Sequence, residues 1–211
     1  MGQQWYTSDL HLGHRLVSGL RGFEDTDEHD RVILGNLREA LRPGDVLWCL
    51  GDLAVGSPAR AIDLLGALCE ETGVTAHLIA GNHDACHPMH RKGYLHQRAY
   101  LTCFASVQPY QKMVWAGEDV WLSHFPRPGH DHEGMASRHD ELRLDVPLLV
   151  HGHLHSDRPV TGPGMVDVGL DAWELRPVPR DRVQQTLFGA SCTSRGGCEH
   201  DHRDDVKEDL R

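Results

Sequence analysis

The residues of this 211-residue chain best placed to do chemistry are histidines and aspartates, and histidine is abundant at 17 copies. Asp9 and His11, Asp52, Asn82 and His83, His124, and then His153 and His155 each follow the end of a predicted buried strand. Carboxylate oxygen, imidazole nitrogen and an amide carbonyl make a donor set that suits Mn, Fe or Zn rather than a thiolate-loving ion. In α/β sheets the loops at strand carboxyl ends converge on one crevice, so these groups are expected to meet. Asp9-x-His11 and His153-x-His155 place two donors two residues apart, and an extended segment would point both members the same way. Asp52 stands alone on its loop and is the natural bridge between two cations. Neutral Asn82 can ligate through its carbonyl oxygen without adding charge. Each fragment alone has a plainer reading, as a surface cap, a turn or a satisfied core histidine. Their occurrence together, each at a strand end, argues for a metal site.

The elements that must position these residues read as strands alternating with helices. Trp5 to Ser8 is a short buried strand, and residues 10 to 23, with Gly13, Gly19 and Gly22, read as loop. Asp25 with Glu28 resembles a capping box for a helix to about Leu41, stopped by Pro43-Gly44. Val46 to Leu50 is a second strand. Ser57-Pro58 reads as N-cap and first turn of a helix that points Ala61, Ile62, Leu65 and Leu68 inward and closes at Gly73. Val74 to Ala80 leads into Gly81-Asn82-His83-Asp84. Residues 88 to 103 are expected to be partly helical. Lys112–Trp115 and Val120–Ser123 form a hairpin that ends at His124, and Pro126 to Asp145 is a long polar loop. Leu148 to Val150 and Met165 to Leu170 are apolar strands, and a helix near Arg180 to Leu187 completes an α/β domain over 1–188. From Gly189 the chain turns polar, and 189–211 reads as a flexible tail.

Composition narrows the possibilities. Hydrophobic residues at 39% and charged residues at 25% suit a soluble globular chain. No apolar run approaches ~18 residues, which predicts no transmembrane helix, and the N-terminus has no basic start and apolar run of a signal peptide. Tyr6 stands where a myristoylation signal would want Ser or Thr. Cysteines 49, 69, 86, 103, 192 and 198 lack disulfide-scaffold spacing, so a reducing cytoplasm is expected. A formal charge of -10 disfavours stable binding of long nucleic acid. It leaves a small phosphate-bearing substrate open, because bound dications reverse the local sign. Nothing indicates the oligomeric state.

The blocks Asp9-Leu10-His11 with Gly13-His14, Gly51-Asp52, Gly81-Asn82-His83-Asp84, His124 and Gly152-His153-Leu154-His155 together resemble the calcineurin-like metallophosphoesterases, in particular the small bacterial and phage members. The resemblance implies a four-layer αββα sandwich of two mixed β-sheets flanked by helices, with metals at one edge of the paired sheets. It implies that Asp9, His11 and His155 hold one divalent ion and that Asn82, His124 and His153 hold a second, with Asp52 bridging. Mn is favoured, with Fe, Zn, Ni, Mg or Ca also able to fill such sites. By the same resemblance His83 faces the substrate phosphate as a catalytic residue and Asp84 orients its ring; Asn82, and His14 beside the motifs, are expected to help bind substrate. His151 reads as structural or as support behind a ligand.

Two such ions lower the pKa of a bridging water toward ~7, giving a hydroxide that attacks phosphorus in line. The expected activity is hydrolysis of small phosphodiesters, including 2′,3′-cyclic nucleotides. A phosphomonoesterase or nucleotide phosphatase is the main alternative, followed by a nuclease and by a non-catalytic scaffold. Arg127 to Asp145, with His130, His132, Arg138 and His139, reads either as the wall that selects substrate or as a solvated loop. Cys192, Cys198, His200 and His202 are a weak zinc pattern, since the gap between the cysteines exceeds the usual spacing.

Overall fold

A computed structural model describes residues 2–132 and 134–194 of the chain, without the side chains of 190–194. Strands β1 (Gln4–Thr7), β2 (Val46–Cys49), β3 (Thr75–Ile79) and β4 (Ser106–Gln108) pair in parallel, and β10 (Val178–Pro179) joins β1 antiparallel at the edge. The second sheet has the order β5 (Tyr110–Trp115), β6 (Glu118–Ser123), β7 (Leu149–His151), β9 (Met165–Asp167) and β8 (Val160–Gly162). Its outer pairs are antiparallel and its inner pairs parallel, so both five-stranded sheets are mixed. The expected α/β sandwich of two mixed sheets with helices is the fold observed.

Period-two alternation explains how the sheets pack. In β2, Leu47 and Cys49 join a core with Ile33, Leu37, Leu65 and Leu68, from α2 (Thr26–Ala40) and α3 (Ala59–Thr72). Trp48 and the following Leu50 point the other way, into a core shared with Val120, Leu122, Val150 and Val166 of the second sheet. Helix α5 (Arg180–Ser194) adds Val183 and Leu187 to that second core and touches strands of both sheets. The hairpin turns on Ala116 and Gly117, with φ of 50° and 84°, the two left-handed residues a tight turn of matching twist requires.

Several local expectations are corrected. Residues 10 to 23 contain a short helix, α1 (Arg15–Leu20), whose Val17 and Ser18 are buried; its flanking glycines disguise it as loop. Asp25 does cap α2, but its carboxylate accepts from Asp27 N at 3.2 Å, the N2 position. Pro58, without a side-chain cap, precedes α3, which ends at Gly73 in the left-handed region as expected. The helix of the 88–103 segment is α4 (Gly93–Tyr100). The short β4, β8 and β10 were not expected, and α5 continues past Leu187 to Ser194. Residues 195–211, and with them Cys198, His200 and His202 of the zinc pattern, lie outside the described residues, as does the side chain of Cys192. Among the described residues no helix is long and apolar enough to cross a membrane.

Candidate metal centre

The ends of β1, β2, β3, β6 and β7 meet at one edge of the sandwich, and they bring the sequence-predicted donors into two touching groups. In the first, His11 Nε2 and His155 Nε2 lie 3.2 Å apart, and Asp9 Oδ1 stands 3.9 Å from the former and 3.8 Å from the latter. In the second, Asn82 Oδ1 lies 3.0 Å from both His124 Nε2 and His153 Nδ1. Asp52 Oδ2 sits between them, 3.7 Å from His11 Nε2 and 3.5 Å from His124 Nε2.

The backbone that achieves this convergence is not extended, which corrects the expectation for both two-residue pairs. Asp9, His11, Asp52, His153 and His155 all have positive φ, between 46° and 75°. L residues adopt that region at a cost and persist there when the surroundings fix them, often at functional sites. Left-handed residues at both ends of each pair curl the loop around a point. Close packing of the loops requires glycine at the neighbouring positions. A Cβ on Gly81 would come within 2.3 Å of Asp52 Oδ1, and one on Gly152 within 2.5 Å of Asp9 Oδ2.

The hydrogen bonds leave the inward-facing atoms open. Asp9 Oδ2 accepts from His153 N at 3.0 Å, while the buried Oδ1 has no partner. His124 Nδ1 donates to Leu50 O at 2.7 Å, which fixes the tautomer and leaves Nε2 a lone pair toward Asn82 and Asp52. Burial pushes the His11 and His153 imidazoles down to about 2, so both are neutral ligand-ready rings at pH 7. Burial raises the Asp52 carboxyl, with the adjacent Asp9 adding to the effect and His124 opposing it. Two buried carboxylates among four imidazoles, with an unpartnered oxygen on Asp9, fit divalent cations.

His83 lies exposed at the rim, with Nε2 4.0 Å from Asp52 Oδ2; its backbone N donates to Asp52 Oδ1 at 2.9 Å. The expectation that Asp84 orients the His83 ring is corrected. Asp84 is fully buried, and its carboxylate accepts from Asp52 N (2.9 Å), Gly81 N (2.8 Å) and Leu53 N (3.2 Å). Those bonds tie the Asp52 loop to the Asn82 loop and leave no hydrogen bond to the imidazole. The ring of His14 is 5.5 Å from that of His11 and lines a neighbouring groove with Leu16 and Leu20. His151 is buried, with Nδ1 donating to Gly152 O at 2.8 Å and Nε2 accepting from the Thr161 hydroxyl at 2.7 Å.

A cavity of about 170 Å³ opens over the centre, lined by Asp52, Asn82, His83, His153 and His155 on one side. His132, Arg138 and His139 form the other side. His132, Arg138 and His139 therefore bring part of the Arg127–Asp145 segment onto a wall of the site. Sequence reasoning missed Arg21, Asp131, Arg143 and Asp171, which stand behind the donors. Asp171 carried a signal, since it closely follows the strand ending at Asp167, the same placement that marked the donors.

An α/β sandwich that presents paired carboxylates, imidazoles and an amide oxygen at its strand ends has the donor set of a divalent-metal centre. A sequence profile of the calcineurin-like phosphoesterase superfamily domain matches residues 6–163, and the chain belongs to that superfamily, whose members typically bind divalent metals. It is 36% identical over 196 residues to the Gene 66 protein of Mycobacterium phage L5, covering 87% of this chain and 93% of that one. Its identity to the Gene 66 protein of Mycobacterium phage D29 is 35% over 195 residues, covering 89% and 96%. Among solved structures, the protein of unknown function AQ665 from Aquifex aeolicus superposes with a TM-score of 0.67 at 20% identity, covering 89% of this chain and 100% of that one; the likeness is one of fold.

Proposed function

We propose that the chain hydrolyses small phosphodiesters, 2′,3′-cyclic nucleotides among them, with two divalent cations. The observation that carries this reading is the position of Asp52 Oδ2 between the His11 and His124 imidazoles, 3.7 and 3.5 Å away. Asp9, His11 and His155 would hold one ion, Asn82, His124 and His153 the other, and Asp52 both. Mn is favoured by the mixed oxygen and nitrogen donors, which also accept Fe, Zn, Ni, Mg or Ca. When bound, such a pair supplies Lewis acidity for the phosphoryl oxygens and a water nucleophile acidified toward about pH 7.

The chain's own residues do the rest. Asn82 and His83 face the cavity and bind the phosphoryl group. His83, in which burial and then the nearby His124 lower the imidazole pKa, would stabilise the charge developing on the leaving oxygen by donating from Nε2, or give that oxygen its proton. Asp84 acts through the backbone, by fixing the Asp52 and Asn82 loops. Arg138, on the cavity wall, meets the part of the substrate beyond the scissile bond. The small cavity and the net charge of -10 favour a compact ester over a polymer. Free thiols at Cys49, Cys69, Cys86 and Cys103 accord with a cytoplasmic location.

A panel of aryl mono- and diesters and of 2′,3′- and 3′,5′-cyclic nucleotides, assayed with several metals, tests the reading. Higher kcat/KM on diesters is expected. A strong monoester preference would replace it with a phosphomonoesterase.

A further inference from the structure

Two carboxylates from separate segments, Asp131 with its side chain covered and Asp171 with its side chain 20% exposed, face the outer nitrogens of the His153-x-His155 pair, and each is paired with an arginine whose side chain is covered. Asp171 Oδ2 lies 2.9 Å from His155 Nδ1. Arg21 grips Asp171 in a bidentate fork, Nε to Oδ1 and a terminal nitrogen to Oδ2, both at 2.8 Å. The same terminal nitrogen donates to Asp9 O at 2.7 Å, so one guanidinium ties Asp171 to the Asp9 loop. On the other side, Asp131 Oδ1 lies 3.6 Å from His153 Nε2. Arg143 donates to Asp131 Oδ2 at 2.8 Å and to Arg138 O at 2.8 Å, with its guanidinium 5.5 Å from the centre of the Phe125 ring.

The nitrogens are used in opposite senses. His155 turns Nδ1 to its carboxylate and leaves Nε2 beside His11 Nε2, 3.2 Å away. His153 points Nε2 toward Asp131 Oδ1 across 3.6 Å, without a hydrogen bond, and has Nδ1 beside Asn82 Oδ1, 3.0 Å away. A carboxylate accepts and never donates when ionised, so Asp171 holds a proton on His155 Nδ1, to which it is hydrogen-bonded, and frees the lone pair of Nε2. We propose that Arg21–Asp171 and Arg143–Asp131 are two independent positioning units, the first setting the tautomer and aim of His155 for one cation through a hydrogen bond and the second aiming His153 for the other by its charge alone. The inference rests on the two-cation reading above.

Stability alone does not account for these pairs. The side chains of Arg21 and Arg143 are 3% and 0% exposed, and buried ion pairs can often be replaced by apolar packing without loss. Their placement behind two adjacent donors gives them a different use. Asp131, His132 and His153 also lie close enough to suggest a third cation site. The Asp131 carboxylate, however, already accepts from His132 N (2.9 Å), Arg138 N (3.0 Å) and the Arg143 guanidinium (2.8 Å). A carboxylate so engaged, beside a fixed positive charge, favours the positioning role.

The test is Mn²⁺ binding to the full chain by calorimetry, with electron paramagnetic resonance to distinguish a coupled ion pair from single ions. Asp171→Asn removes the charge and sets an amide N–H against either His155 Nδ1 or the Arg21 fork, and it is expected to weaken one ion roughly 10–100-fold while the other keeps its affinity. Asp131→Asn, at the longer separation, is expected to weaken the other ion by a smaller factor, about threefold to tenfold. The double variant should weaken both. Unchanged binding of two ions in both single variants, loss of both ions in either one, or a double variant that still holds one ion at full affinity would overturn the proposal. If Asp171→Asn fails to fold, Arg21→Lys, which keeps the charge and loses the fork, is read by the same criteria. Failure of the wild-type chain to bind two Mn²⁺ ions would instead refute the underlying two-cation reading.

Discussion

The Asp84 carboxylate accepts the backbone N–H of Asp52 at 2.9 Å and so holds the central donor from behind. Asp84→Asn would put an amide N–H against one of the backbone N–H groups of Asp52, Leu53 and Gly81 in a site with no water-exposed surface. Unsatisfied buried groups of this kind cost about 1–3 kcal/mol each. Chemical denaturation should show a loss of about 2–4 kcal/mol, with kcat/KM falling alongside. Unchanged stability would mean that the Asp52 loop is fixed by other contacts.

His83 stands over the cavity without belonging to either donor group. His83→Ala should therefore keep full metal content by elemental analysis while kcat falls roughly 10²–10⁴-fold. A variant that lost metal in proportion to rate would place His83 among the ligands instead.

Arg138 lines the cavity from the wall and is 51% exposed. It is the cation best placed to contact a substrate's outer portion. Arg138→Ala should raise KM roughly tenfold, with a smaller change in kcat, because it removes a charge-assisted hydrogen bond from the bound substrate. Unchanged KM across the ester panel would make the 126–145 segment a structural wall only.

His151 carries the pH dependence most cleanly. Burial pushes its imidazole down to about 4, against the opposing bond to Gly152 O, whereas the unfolded ring titrates near about 6.5. Between those values the unfolded chain binds the extra proton, so stability is intact above about pH 6.5 and falls as the pH drops toward about 4. The loss attributable to this ring is on the order of 3 kcal/mol. Thermal melts in chelator at pH 7.5 and pH 5 should show a smaller drop for His151→Gln, which keeps a donor and an acceptor without titrating, than for the wild type. Equal drops would assign the acid sensitivity to other groups.

The convergence of the candidate donors was legible in the sequence because each follows a buried strand and strand ends share one edge of a sheet. That reasoning needs only hydrophobic runs and the glycines after them, and it located Asp9, Asp52, Asn82, His124 and His153 together. It failed where the outcome depended on contacts between distant segments. Asp84 is adjacent to His83 in sequence, yet its carboxylate reaches across to Asp52 and Leu53, and no spacing rule carries that information. The two-residue spacing of Asp9 and His11 suggested a strand-like segment, whereas both residues are left-handed because they curl around a common point. Arg21 ends a short helix hidden among glycines, and its partner Asp171 is 150 positions away in sequence.

The central claim is that Asp52 serves two cations at once. Its most direct test is stepwise addition of Mn²⁺ to metal-free wild-type and Asp52→Asn chains, with bound metal and diester hydrolysis followed together. The expected result is two equivalents of bound Mn²⁺ in the wild type, full activity only after the second, and weakened binding at both sites in Asp52→Asn. Full activity with one equivalent, or an Asp52→Asn chain that binds two ions and hydrolyses diesters at the wild-type rate, would contradict it.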